Sequence, residues 1–120
     1  MRCRTLDVWK RSCRLSVEIH RYFDNSRHYS FKDQITRSSL SVASNIAEGV
    51  EKDSFKERNR FIEIARGSAA ELMTQIYIGI EIGYIEKKIG FTWIREIEEL
   101  SKMLIGLKNR YTKETHAPKT

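Results

Sequence analysis

No proline interrupts the chain before Pro118, and its six glycines are spaced widely enough to leave long stretches free of helix breakers. Inside a helix Pro costs about 3 kcal/mol and Gly about 1 kcal/mol, so their scarcity lets hydrophobic periodicity decide the fold. That periodicity is helical from end to end. At 120 residues the chain suits one domain with a real core and stops short of the size at which chains divide.

A first helix is expected over about residues 5–25, with the Thr5 hydroxyl capping its first turn and the polar stretch Asn25-Ser26-Arg27-His28 following its end. Leu6, Trp9, Cys13, Val17 and His20 fall on one side. Val8, Leu15, Ile19 and Tyr22 lie beside them, which widens the apolar arc to roughly 200°. A core stripe is narrower, so the second row is assigned to contact with another subunit. The second helix, about Ser30 to Gly49, carries Phe31, Ile35, Ser39, Val42 and Ile46 as a core seam, and Gly49 is expected to stop it. Arg37, Ser41, Ser44 and Glu48 recur on another face with Asn45 at its edge. Serines are poor helix formers, so their density here predicts a tight helix crossing.

Ser54 and Glu57 have the S-x-x-E spacing of a capping box and mark the start of a third helix, expected to reach Gly83 as a rod of roughly 45 Å. Phe61, Ala65, Ser68, Leu72, Ile76, Gly79 and Gly83 share a face on which small residues let a partner backbone come close. Ile62, Met73 and Ile80 make another apolar row. Ile64, Ile78 and Ile82 make a further one, assigned with Val8, Leu15, Ile19 and Tyr22 to an oligomer interface, so this helix is expected to be the most enclosed. Tyr84 to Phe91 connects it to a fourth helix, Thr92 to Tyr111, where Trp93 precedes Ile97, Leu100, Leu104, Leu107 and Tyr111 at bundle spacing. Residues from Thr112 read as fraying, which sets a domain over 1–113 and a flexible tail over 114–120. The fold class is all-α: an antiparallel, up-and-down four-helix bundle that associates with its own copies.

Net charge is +6, and the excess is uneven: residues 1–30 carry seven Lys/Arg against three Asp/Glu, and residues 85–120 eight against five. On the first helix Lys10, Arg14 and Arg21 project within about 40° of one another, with Arg11 farther round. Arg95, Lys102 and Lys113 form a similar line on the fourth, partly neutralised by Glu98 and Glu99. With Arg37 these are the candidate contacts to RNA or DNA. Trp9, Phe31, Phe61 and Trp93 fall on core faces, which leaves few aromatics for base stacking and argues against sequence-specific readout. The competing reading is a scaffold or protein-interaction module whose charged faces are merely solvated.

The sequence holds no nucleophile motif, metal cage or phosphate loop, so no catalytic residues, cofactor or metal are expected. His20 and His28 have no second ligand at metal spacing. Cys3 and Cys13 would sit about 15 Å apart along one helix and are expected as free thiols. Ser44, Asn45, Glu48, Arg66, Ser68 and Glu71 are read as a structural polar network: Glu48 or Glu71 pairs with Arg37 or Arg66, and Asn45 bonds across helices. With neither a secretory signal nor an apolar run of membrane length, a cytoplasmic protein is expected.

Leu6-Asp7-Val8-Trp9-Lys10, then Gln34-Ile35-Thr36-Arg37-Ser38-Ser39 leading to Ser44-Asn45-Ile46-Ala47-Glu48-Gly49, then Phe61 through Gln75, together resemble the small four-helix bundle proteins encoded by intervening sequences of large-subunit ribosomal RNA genes. The resemblance covers nearly the whole domain. Two positions depart from the family pattern: Ala43 stands where a proline is usual, and Thr36-Arg37 where two basic residues are common, which weakens the case for an anion there. The resemblance implies a ring-like homo-oligomer, commonly a pentamer, and five copies of +6 would give about +30 per ring. In fold the chain is also similar to the accessory variability protein of diversity-generating retroelements. That likeness implies, by analogy alone, nucleic acid and a reverse transcriptase as partners.

Overall fold

The structure, a computed structural model, describes residues 1–115 as a short 3-10 turn, Arg2–Thr5, followed by α1 (Asp7–Tyr22), α2 (Tyr29–Val50), α3 (Phe55–Glu81) and α4 (Lys87–Thr115). Among the described residues there is no strand. Consecutive helices pack side by side and α4 closes against α1, giving a body of 57 × 21 × 21 Å. The directions alternate. Ser41 meets Ser68 while Ser38 meets Glu71, Asn59 near the start of α3 bonds Lys108 near the end of α4, and Arg2 before α1 bonds the Val50 carbonyl at the end of α2.

Both ends of α3 have a local cause. The Glu57 N–H donates to Ser54 Oγ at 3.2 Å, one half of the expected capping box; the Glu57 carboxylate turns instead to Arg60. α3 ends in a Schellman turn: Gly83 has φ +81°, the Tyr84 N–H donates to the Gly79 carbonyl at 2.8 Å and the Gly83 N–H to that of Ile80 at 3.2 Å. Thr5 does not cap α1. Residues 2–5 are taken up by the 3-10 turn, which buries Cys3 and is pinned by the Arg2 N–H donating to Glu51, so Leu6 becomes the N-cap residue without a side-chain bond.

Gly49, read as a helix stop, and Gly90, placed in the connection before the fourth helix, both lie inside helices. Gly49 is helical and packed: a Cβ there would sit 2.8 Å from Phe61 Cβ and 3.1 Å from the Arg58 carbonyl oxygen. α4 starts at Lys87 rather than Thr92 and so includes Gly90, where a Cβ would meet Ile80 Cδ1 at 2.5 Å. At its other end α4 continues past Thr112 to Thr115; the tail beyond, 116–120, lies outside the described residues.

The core is one cluster running the length of the bundle. Ile35, Val42 and Ile46 of α2, Ala65, Leu72 and Ile76 of α3, and Trp93, Ile97, Leu100, Leu104, Leu107 and Tyr111 of α4 are buried as their spacing predicts. On α1 the two rows exchange roles. Val8, Leu15 and Ile19 form the inward seam, and Val17 of the other row is exposed.

Candidate nucleic-acid interface

Four helical turns of α1 hold its outer face in one line, and there Lys10, Arg14 and Arg21 are exposed and outside every ion pair among the described residues. Arg11 is different. Its Nε donates to Glu96 Oε2 at 3.0 Å, Nη2 donates to Glu96 Oε1, and Nη1 reaches Met103 Sδ at 3.5 Å, so the guanidinium clamps α1 to α4. The bond to Glu96 pushes the Arg11 pKa up, against a smaller desolvation effect. It is a strut and not a free phosphate ligand.

Of the remaining candidates, Arg14 and Arg95 line one cleft of about 320 Å³ between α1 and α4, beside Glu18, Glu96 and Glu99. Two guanidiniums among three carboxylates make that cleft mixed in sign. Lys102 and Lys113 are exposed on α4. Arg37 sits on α2 with its Nη2 2.8 Å from Asp33, a solvated i, i+4 pair that places a carboxylate where an anion would bind.

The polar network exists with different members. Ser41 and Ser68 hydroxyls meet at 2.8 Å across the α2–α3 crossing, and Ser38 donates to Glu71 at 3.1 Å. Asn45 does not cross: its amide donates to the Ser41 carbonyl and hydroxyl in its own helix. Arg66 pairs with Glu63, one turn back, and Ser44 and Glu48 are exposed. A second serine contact, Ser16 to Ser39 at 2.8 Å, ties α1 to α2. With hydroxyls satisfied by each other or by the preceding turn, as Ser12 is by the Val8 carbonyl at 2.7 Å, these residues act as small, hydrogen-bonded spacers.

Three residues assigned to a subunit interface, Val8, Leu15 and Ile19, belong to the chain's own core and cannot meet another copy. Tyr22 is half-buried, its hydroxyl accepting the Glu86 N–H at 2.8 Å and its ring edge-on to Trp93. Ile64, Ile78 and Ile82 remain on the α3 surface, so α3 is less enclosed than expected. Val17 and Leu40 are also exposed, flanking an apolar groove of about 500 Å³ between α1 and α2 that Cys13, His20 and Ala43 help line. Within it His20 Nδ1 donates to the Ser16 carbonyl at 2.7 Å, and burial pushes the Cys13 thiol pKa up, which suppresses the reactive thiolate.

The sequence reading missed a group at the bundle end formed by the α1–α2 and α3–α4 loops. The His28 ring stacks on Tyr84 with centroids 3.7 Å apart, Phe31 meets Tyr84 edge-on at 5.4 Å, and Tyr29 is exposed beside them. Trp9, Phe31, Phe61 and Trp93 lie on helix faces, whereas these tyrosines flank loops. Tyr29 and Tyr84, each next to a break in the apolar pattern, were the signal.

Fold and surface together define a basic, all-α four-helix bundle protein; no helix among the described residues is long and apolar enough to cross a membrane. The chain belongs to the 23S rRNA-intervening sequence protein family, which it matches over residues 4–106. Among solved structures it is similar to a protein with unknown function from the S23 ribosomal protein family of Bacteroides thetaiotaomicron VPI-5482. That likeness has TM-score 0.79 at 24% identity and covers 84% of this chain and 97% of the other, and it concerns the fold. No curated protein matches.

Proposed function

We propose that the protein is a non-enzymatic, homo-oligomeric bundle of the cytoplasm that binds RNA or DNA without sequence specificity, chiefly through the outer face of α1. The observation that carries this reading is the unpaired line of Lys10, Arg14 and Arg21. Exposed cations outside any ion pair exchange water and counterions for phosphate, although Arg14 does so beside the carboxylates of its cleft, and the released ions make such binding salt-dependent. Association would multiply the effect, since each added copy turns a weak contact into an intramolecular one.

Association is supported by the exposed Ile64, Ile78 and Ile82 of α3 and by Val17 and Leu40 at the α1–α2 groove, rows that a monomer seldom leaves wet. They lie on different sides of the bundle. Joining one to the other is a head-to-tail contact, which closes into a ring when the rotation permits. The same exposed rows favour the second reading, a protein-interaction module with no nucleic-acid role.

The test is an anisotropy titration with unrelated RNA and DNA oligonucleotides over a range of salt, with light scattering on nuclease-treated protein. Lys10→Glu/Arg14→Glu/Arg21→Glu is expected to abolish binding without loss of helicity, and Ile78→Glu to lower the mass in solution. No micromolar binding at low salt, or affinity indifferent to salt, removes the nucleic-acid reading. A monomeric wild type removes the oligomer.

A further inference from the structure

We infer that the loop end of the bundle is a nucleobase-stacking site for single-stranded nucleic acid, seated in the cleft formed by His28, Tyr29, Ser30, Phe31, Gln34 and Tyr84. The inference rests on the nucleic-acid reading above and adds to it a second kind of contact. The cleft holds about 330 Å³. One wall is already a stack, His28 on Tyr84 at 3.7 Å and 11°, with Phe31 closing it edge-on. Tyr29 is 70% exposed, and its ring pairs with no other aromatic among the described residues.

The platform is held before any ligand arrives. The left-handed turn at Gly83 sends the chain back so that the Tyr84 N–H bonds Gly79, while the His28 N–H donates to Ser26 Oγ at 3.2 Å and the His28 carbonyl accepts from Lys32 N–H at 2.9 Å. A ring fixed in advance loses little entropy on binding. Flat aromatic faces suit the π-face of any base, and the Ser30 hydroxyl and Gln34 carboxamide on the same wall offer donors and acceptors to a base edge.

Charge selects the strand over an uncharged aromatic ligand. The α1 stripe runs about 16 Å from Lys10 to Arg21 and ends at this loop, where Arg27 is exposed beside His28. Asp24 and Asp33 temper the field at the cleft itself, so the phosphates are gripped along α1 and the base is received at the end. A duplex keeps both faces of each base covered, which restricts the site to single strands.

The test compares a single-stranded RNA oligonucleotide, an abasic strand of equal length and charge, and a duplex, at one low salt concentration. Wild type is expected to bind the base-bearing strand roughly 5- to 150-fold more tightly than the abasic strand, the range for stacking one base. Tyr29→Ala with His28→Ala, both exposed and outside the core, is expected to erase that difference and leave abasic binding unchanged. Tyr29→Phe retains the ring and so most of the preference. Equal wild-type affinity for base-bearing and abasic strands, or no effect of the double substitution at unchanged helicity, overturns the stacking site while the phosphate contacts stand. Absence of binding to every strand sinks the nucleic-acid reading itself, and this inference with it.

Discussion

Gly49→Ala should destabilise the bundle although alanine is the better helix former. A Cβ at this position would lie 2.8 Å from Phe61 Cβ, 3.1 Å from the Arg58 carbonyl oxygen and 3.8 Å from Ile62 Cδ1. Comfortable carbon contacts begin near 3.5 Å. The two nearest atoms are a Cβ and a backbone oxygen, neither of which can rotate aside, so α2 and α3 must separate by several tenths of an ångström. Overpacking of this kind costs about 1–3 kcal/mol, and removing Gly from a helix returns up to about 1 kcal/mol, less at the penultimate residue of α2. The net expectation is a loss of about 1–2 kcal/mol, a fall in Tm of roughly 4–8 °C for a domain of this size. Gly106→Ala is the control: it lies inside α4, a Cβ there would meet nothing within 4 Å, and the propensity gain of about 0.5–1 kcal/mol should raise Tm by roughly 2–4 °C. Melts followed by circular dichroism at one protein concentration compare the three proteins, because association would otherwise shift Tm. Gly49→Ala as stable as wild type would show that the crossing is not tight and that the argument from small residues fails.

Two further outcomes follow from the ion pairs. Arg11→Ala should cost about 1 kcal/mol in urea denaturation, couple to Glu96→Gln in a double-mutant cycle, and weaken nucleic-acid binding less than Arg14→Ala. An unaltered stability with affinity lowered as much as by Arg14→Ala would make Arg11 a ligand contact after all. Glu63 is held below its usual 4.5 by its bond from Lys108 and then that from Arg66. A carboxyl whose folded pKa is depressed stabilises the fold above the unfolded value and ceases to as pH falls through the folded one. The Tm gap between wild type and Glu63→Gln should therefore be present near pH 7 and close as pH falls through the depressed folded value, small throughout because the pair is half in solvent. A gap unchanged at acid pH would exclude the charge as its source.

Where apolar residues alone mark a seam, the sequence locates it. α4 is legible because Ile97, Leu100, Leu104 and Leu107 repeat without a polar member, and α3 because Ser54 both breaks the pattern and supplies a cap. α1 is not, because Ser12 and Ser16 lie in its inward seam and count as polar in any hydrophobic reading. Their hydroxyls bond the Val8 carbonyl and Ser39, so they are buried at little cost, and nothing in the periodicity of one helix reveals partners on another. Gly49 misleads in the opposite sense. Glycine marks both a helix end and a close crossing, and the two are told apart by what the neighbouring helix presents. The basic face of α1 was legible, since exposure of Lys10, Arg14 and Arg21 follows from angle alone. The aromatic end was not, since it joins residues more than fifty positions apart through two loops.

The relocated seam changes what association has to explain. A 200° apolar arc on α1 argues for a partner only if one of its rows stays outside, and the row chosen from sequence is the one the core consumes. Leu15→Glu with Ile19→Glu would therefore unfold the bundle and report nothing about its oligomeric state. The apolar surface that remains lies on α3 and in the α1–α2 groove, so the case for copies meeting head to tail passes to Ile64, Ile78, Ile82, Val17 and Leu40. In such a contact a neighbour covers the groove, whose lining includes Arg21, while Arg14 of α1 and Arg95 of α4 face the separate α1–α4 cleft. Assembly through the groove would therefore cover Arg21 and leave Lys10 and Arg14 of the basic line for a polyanion.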